Sequence, residues 1–146
     1  MPQSKKYLTV GIVGLGSMGQ NHVRIASNHP SVREVHVFDM DQIRAENVSQ
    51  RFDCEIAPSY EALLAKVDAV VIASSTLSHY ALAKAALEAK VHCLIEKPIA
   101  ATIDEARQIV ELAEKSGCTV VVGHVERYNP VYAELSKILK SETVFA

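Results

Sequence analysis

The chain has 146 residues, 49% hydrophobic and 22% charged, with a formal net charge of −2. That length and balance suit one globular domain with a real core, and exclude a low-complexity or disordered chain. Its basic residues are scattered, with only Lys5 and Lys6 adjacent, and no apolar run reaches the roughly eighteen residues that cross a bilayer. Nucleic acid, anionic surfaces and the membrane are therefore not expected partners.

Met1–Tyr7 carries no signal-peptide pattern and leads into a first predicted strand, Leu8–Val13. The segment Gly14-Leu-Gly16-Ser-Met-Gly19 follows and opens a predicted helix, Met18–Asn28. This is G-x-G-x-x-G between strand and helix. Gly14 permits the tight turn, Gly16 lets backbone approach a pyrophosphate, and Gly19 lets the helix pack close to the sheet. The N–H groups of Ser17 and Met18 then face the phosphates. The plainer alternative, a glycine-rich turn without function, is disfavoured by the strand before and the helix after.

A second strand, Val35–Phe38, ends at Asp39, twenty residues after Gly19. A carboxylate there accepts hydrogen bonds from ribose hydroxyls and repels a 2′-phosphate, so NAD is expected rather than NADP. It could instead cap the next helix, Gln42–Phe52, but Asp41 can do that and leave Asp39 free. Arg44, a turn into that helix, reads as solvated. A short strand around Cys54–Ile56 and a helix Tyr60–Ala65 come next.

Strand Ala69–Ala73 is followed by Ser74, Ser75 and Thr76, small hydroxyl residues placed to line a cofactor's ribose. Equally, Thr76 or Ser78 could cap the following helix, His79–Ala89. His79, in its first turn, suits a structural hydrogen bond and is also counted with the cofactor-binding set. The run Val91–Ile95 ends in Glu96-Lys97-Pro98. Pro98 stiffens that end, Lys97 can polarise a substrate hydroxyl or carbonyl, and Glu96 can fix the ammonium and bind the nicotinamide ribose. The bland alternative is a surface ion pair.

Helix Thr102–Ser116 has a capping box in Thr102 and Glu105, an apolar stripe of Ala106, Ile109, Val110 and Ala113, and Gly117 as its C-cap. Strand Thr119–Val122 runs into Gly123–Pro130, where Arg127, Tyr128 and Asn129 suit a polar substrate or an exit hinge equally well. A last helix, Val131–Lys140, lies outside the alternation. Cys54, Cys93 and Cys118 are odd in number and set in apolar runs, so they read as reduced core thiols of a cytoplasmic protein. No metal-binding spacing is present, and no metal is expected.

Continuous apolar strands alternating with helices predict an α/β fold, a doubly wound parallel sheet of about six strands with its crevice at the strand carboxyl ends. The glycine turn at Gly11–Gly19, Asp39, Thr76-x-x-His79, Glu96-Lys97-Pro98 and Gly123-x-x-x-Arg127-Tyr-Asn-Pro130 together resemble the Gfo/Idh/MocA oxidoreductases. Within that family the last segment is similar to the UDP-N-acetylglucosamine 3-dehydrogenases. The resemblance implies a Rossmann dinucleotide-binding domain over residues 1–125. It makes residues 126–146 the exit helix towards a C-terminal α+β domain that would bring substrate pocket, oligomer contacts and a catalytic histidine. None of His22, His29, His36, His79, His92 or His124 matches that histidine's segment.

It further implies Lys97 as the active-site lysine, Glu96 and Asp39 on the two riboses, and hydride transfer between NAD and a secondary alcohol of a sugar, nucleotide-sugar or cyclitol. Full-length members are expected to be homo-oligomers, and this chain alone is expected to be inactive and open to self-association. Ser75 stands where many relatives carry proline. The rival from another class is a non-catalytic NAD(H)-binding sensor or scaffold.

Overall fold

A computed structural model describes residues 7–141, and the expectations placed on residues 1–6 and 142–146 lie outside the described residues. Six strands form one parallel sheet: β1 (Leu8–Val13), β2 (Val32–Phe38), β3 (Glu55–Ile56), β4 (Ala69–Ile72), β5 (His92–Ile95) and β6 (Val120–Val122). Their spatial order is β3-β2-β1-β4-β5-β6. The helices are α1 (Ser17–Ser27), α2 (Gln42–Phe52), α3 (Tyr60–Leu64), α4 (Thr76–Glu88), α5 (Ile103–Ser116) and α6 (Pro130–Ser141), with a 3-10 turn at Val125–Tyr128.

The central strands β1 and β4 serve two cores, which explains their largely apolar runs. Ile12, Val35 and Val37 pack with Val23 of α1 and with Ala45 and Val48 of α2. Val13, Val70, Ile72 and Ile95 turn to the opposite face, against Leu63 of α3, Ala83 and Leu87 of α4 and Ile109 of α5. The chain changes face between β3 and β4, so the direction of winding reverses where β1 and β4 lie side by side. A ligand crevice belongs at the carboxyl ends of that pair.

Local chemistry sets most element ends. Asp41 caps α2 by accepting from the Arg44 amide at 3.1 Å. Thr102 and Glu105 close the expected capping box on α5, and Gly117 ends that helix at φ 71°. Three expectations need correction. Val110 is 52% exposed and not part of the buried stripe, because it lies about 100° round the helix from Ile109. Helix α4 starts at Thr76, three residues before His79, with Ser75 at the N-cap and neither Thr76 nor Ser78 in that role. Strand β2 starts at Val32, where the polar pair Arg33–Glu34 masked its strand character.

Candidate functional site

Above the β1–β4 junction lies a cavity of about 410 Å³ lined by Gly14, Gly16, Asp39, Arg44, Ser74 and Ser75, among others. The glycine turn forms its floor. Gly14 has φ +85°, and a Cβ there would meet the Ser74 backbone at 2.6 Å. At Gly19 a Cβ would collide with the Gly14 carbonyl. Both glycines are therefore demanded by the fold itself. Gly16 differs: its backbone is extended, at φ −66° and ψ −166°, and a Cβ would meet nothing within 4 Å. No side chain caps α1 at Gly16, and Ser17 and Met18 are exposed, so the first N–H groups of the helix face solvent or a ligand.

Asp39 is held more firmly than its sequence suggested. Its Oδ2 accepts from the Leu15 amide at 2.6 Å, and its Oδ1 from the Asp41 amide at 2.8 Å. The Arg44 Nη1 lies 3.2 Å and 3.3 Å from the two oxygens. Arg44 also pairs with Asp41 at 3.1 Å. The expectation of a free Asp39 beside a solvated Arg44 is thus corrected. A guanidinium one turn into α2 reaches back to the strand end, because residues three and five positions earlier lie beneath it.

After β4, Ser74 Oγ and Ser78 Oγ are 2.7 Å apart, and Ser78 Oγ donates to the Ser75 carbonyl at 2.7 Å. Ser74 and Ser75 line the cavity, while Thr76 is the first residue of α4. His79 is buried, with Nδ1 2.9 Å from the Pro98 carbonyl and Nε2 3.1 Å from the Ser74 carbonyl. It bridges the ends of β4 and β5 and does not line the cavity, which gives it a structural place.

The end of β5 departs from expectation in one contact. Glu96 is buried, and its Oε1 lies 2.7 Å from His22 Nε2 on α1. Its Oε2 accepts from the Lys97 backbone amide at 3.3 Å, so Glu96 does not fix the Lys97 ammonium. Lys97 is exposed, and the Lys97–Pro98 bond is cis. His22 was overlooked in the sequence. Its signal is the stripe Gly19, His22, Val23 and Ala26, at i, i+3, i+4 and i+7, which turns its ring toward the sheet.

Beyond β6, Arg127 and Tyr128 sit exposed on the 3-10 turn. Asn129 is occupied locally, with Nδ2 donating to Glu126 and Oδ1 accepting from the Val131 amide. None of the three lines the cavity. Burial pushes the Cys93 thiol up to about 12 and the Cys54 thiol up to about 11, which keeps both protonated at neutral pH and unsuited to nucleophilic work. Among the described residues no cluster of three or more His, Cys, Asp or Glu could hold a metal, and no helix is long and apolar enough to cross a membrane.

With this geometry in view, comparisons with known proteins become specific. The family model described as the oxidoreductase family with an NAD-binding Rossmann fold, Gfo/Idh/MocA, matches residues 8–124. UDP-N-acetylglucosamine 3-dehydrogenase of Acidithiobacillus ferrooxidans is 36% identical over 125 residues, covering 85% of this chain and 39% of that protein. Inositol 2-dehydrogenase of Acidothermus cellulolyticus is 34% identical over 140 residues, covering 92% and 41%. The crystal structure of an NAD-binding protein from Listeria innocua superposes with a TM-score of 0.86 at 37% identity, covering 96% of this chain and 42% of that one. The chain thus spans about two-fifths of the length of the relatives it matches.

Proposed function

The chain belongs to the Gfo/Idh/MocA oxidoreductase family, and from that premise we propose that it is the cofactor-binding part of an NAD-dependent dehydrogenase acting on a secondary alcohol of a sugar, nucleotide-sugar or cyclitol. The observation that carries the proposal is Gly16. The fold tolerates a side chain there, so the glycine answers to something outside the chain, and a pyrophosphate at the start of α1 fits that open space. The names of the relatives, a UDP-N-acetylglucosamine 3-dehydrogenase and an inositol 2-dehydrogenase, support the substrate class.

In this reading Gly14 and Gly19 shape the turn, and the amides of Ser17 and Met18 hold phosphate. Asp39 meets the adenosine ribose, and Ser74, Ser75 and Thr76 line the route to the nicotinamide. His79 joins that set only through the Ser74 carbonyl. NAD supplies the hydride acceptor. Lys97 hydrogen-bonds the substrate oxygen and favours loss of its proton as hydride leaves. Among the described residues no side chain meets the Lys97 ammonium, which leaves it free for that contact. Arg127, Tyr128 and Asn129 are placed on the substrate side, and the carboxylate of Glu96 on the nicotinamide ribose.

Residues 1–125 then form the Rossmann domain, with 126–146 leading to a substrate and oligomerisation domain in the complete, homo-oligomeric enzyme. Cys54, Cys93 and Cys118 are free thiols, which supports a reducing compartment such as the cytoplasm. Lys97→Met in the complete enzyme separates this from a sensor that only holds NAD(H). Turnover should fall at least about a hundred-fold, with NAD affinity nearly unchanged. Retained turnover with collapsed NAD binding makes Lys97 a cofactor clamp.

A further inference from the structure

Glu96 is confined from three sides. Helix α1 brings His22 Nε2 to 2.7 Å from its Oε1, with the two side chains 16% and 8% exposed. The end of β6 brings Gly123, where a Cβ would stand 3.2 Å from the Glu96 carboxyl carbon and from both oxygens. The next residue turns its own amide to Oε2 at 3.3 Å. A carboxylate can only accept, so the His22 Nε2 carries the proton of that hydrogen bond. The contact is charge-assisted and satisfies a buried ion that would otherwise be costly.

The consequence lies at Lys97. Glu96 and Lys97 are adjacent, opposite in charge and carried on flexible stems, so an ion pair between them is one state open to this strand end. Among the described residues that pair is not formed, and the carboxylate is engaged by His22 and by the Lys97 amide. We propose that His22 is a positioning residue: by drawing Glu96 in against Gly123, it keeps the carboxylate off the neighbouring amine and leaves Lys97 unpaired just past the end of β5. An ammonium tied to a carboxylate has its donors engaged; one left unpaired can meet an incoming oxygen or reagent. Helix α1 thereby does two jobs. Its first turn leaves N–H groups open for the proposed cofactor's phosphates, and its second turn holds the Glu96 carboxylate. The purpose of the arrangement rests on the reading of Lys97 as the working residue, but the contacts and their test do not need bound NAD.

Competitive acetylation of the ligand-free chain with a trace of acetic anhydride, read by mass spectrometry, measures amine availability at Lys97 against the exposed, distant Lys66. His22→Ala should slow Lys97 about five-fold relative to Lys66, the scale of an exposed ion pair. His22→Gln, which keeps an N–H donor, should restore the native rate, and so should the double variant His22→Ala, Glu96→Gln. Gly123→Ala, with His22 intact, should slow Lys97 by crowding the carboxylate from the other side, which keeps the test available if His22→Ala does not fold. Circular dichroism confirms the fold of each variant. Native Lys97 rates in folded His22→Ala or Gly123→Ala overturn the inference. Slowing that persists once Glu96 is Gln, or is equal in His22→Gln, overturns it too. Failure of NAD to bind would remove the proposed function and leave these rates unaltered.

Discussion

A carboxylate offers about four acceptor positions, and Asp39 spends them on Leu15, Asp41 and, twice, Arg44. The Leu15 amide ties the end of β2 to the glycine turn, and the Asp41 amide ties it to the start of α2. The two guanidinium contacts are the ones that can be given up, since the Arg44 side chain is 44% exposed. A bare carboxylate about 4 Å from a 2′-phosphate would cost NADP roughly 1 to 4 kcal/mol. With Arg44 cancelling part of that charge, the expected preference for NAD falls to the low end, about five-fold. Arg44→Ala should widen it by about ten-fold, through loss of a phosphate partner and exposure of Asp39. Calorimetric titration of both cofactors into wild type and variant measures the two ratios. An unchanged ratio removes Arg44 from cofactor choice, and tighter NADP binding by wild type overturns the NAD assignment.

Residue types at the site were legible wherever one position dictated one role. Gly14, Asp39 and Lys97 fall at strand ends, as their spacing implied. Partnerships across elements were not. His22 and Glu96 are 74 residues apart, and Arg44 reaches Asp39 only once α2 folds back beneath β2. Such contacts depend on how helices lie on the sheet, which no local pattern encodes.

At the scale of elements, capping chemistry was read most reliably. Asp41 at α2 and the Thr102–Glu105 box at α5 were visible because each cap needs a fixed residue at a fixed offset. Ser59, which accepts from the Ala62 amide at 3.1 Å to start α3, follows the same rule. The start of α4 was misplaced because its N-cap, Ser75, makes no side-chain capping hydrogen bond and several hydroxyl residues compete locally. Thr102→Ala removes the Oγ1 that accepts from the Glu105 amide, while the Glu105 carboxylate keeps the Ala101 and Thr102 amides. It should cost about 1 kcal/mol, a fall of roughly 3 °C in melting temperature, with NAD binding unaltered. A melting curve equal to wild type would mean the box contributes nothing.

For the whole molecule, the doubly wound parallel sheet of about six strands followed from alternation and right-handed crossovers, while the order β3-β2-β1-β4-β5-β6 came only with the structure, because local patterns do not say which strands lie side by side. The separate demands on the three glycines were legible in the motif, and the structure agrees: a Cβ collides at Gly14 and Gly19 and meets nothing at Gly16. The proposal also predicts that the 146-residue chain binds NAD yet produces no NADH with UDP-sugars, inositols or hexoses, because a substrate must be held in near-attack geometry for hydride to move. Robust turnover by this chain would place the substrate pocket within it.

The most direct measurement is NAD titration of Gly16→Asp beside wild type, with a melting curve for each. Aspartate is a better N-cap than glycine, and the site leaves room for its Cβ, so stability should hold or rise slightly. Its carboxylate would stand where a pyrophosphate must approach α1, and affinity for NAD should fall at least about a hundred-fold. A folded Gly16→Asp that binds NAD as tightly as wild type would contradict the placement of the dinucleotide on this turn.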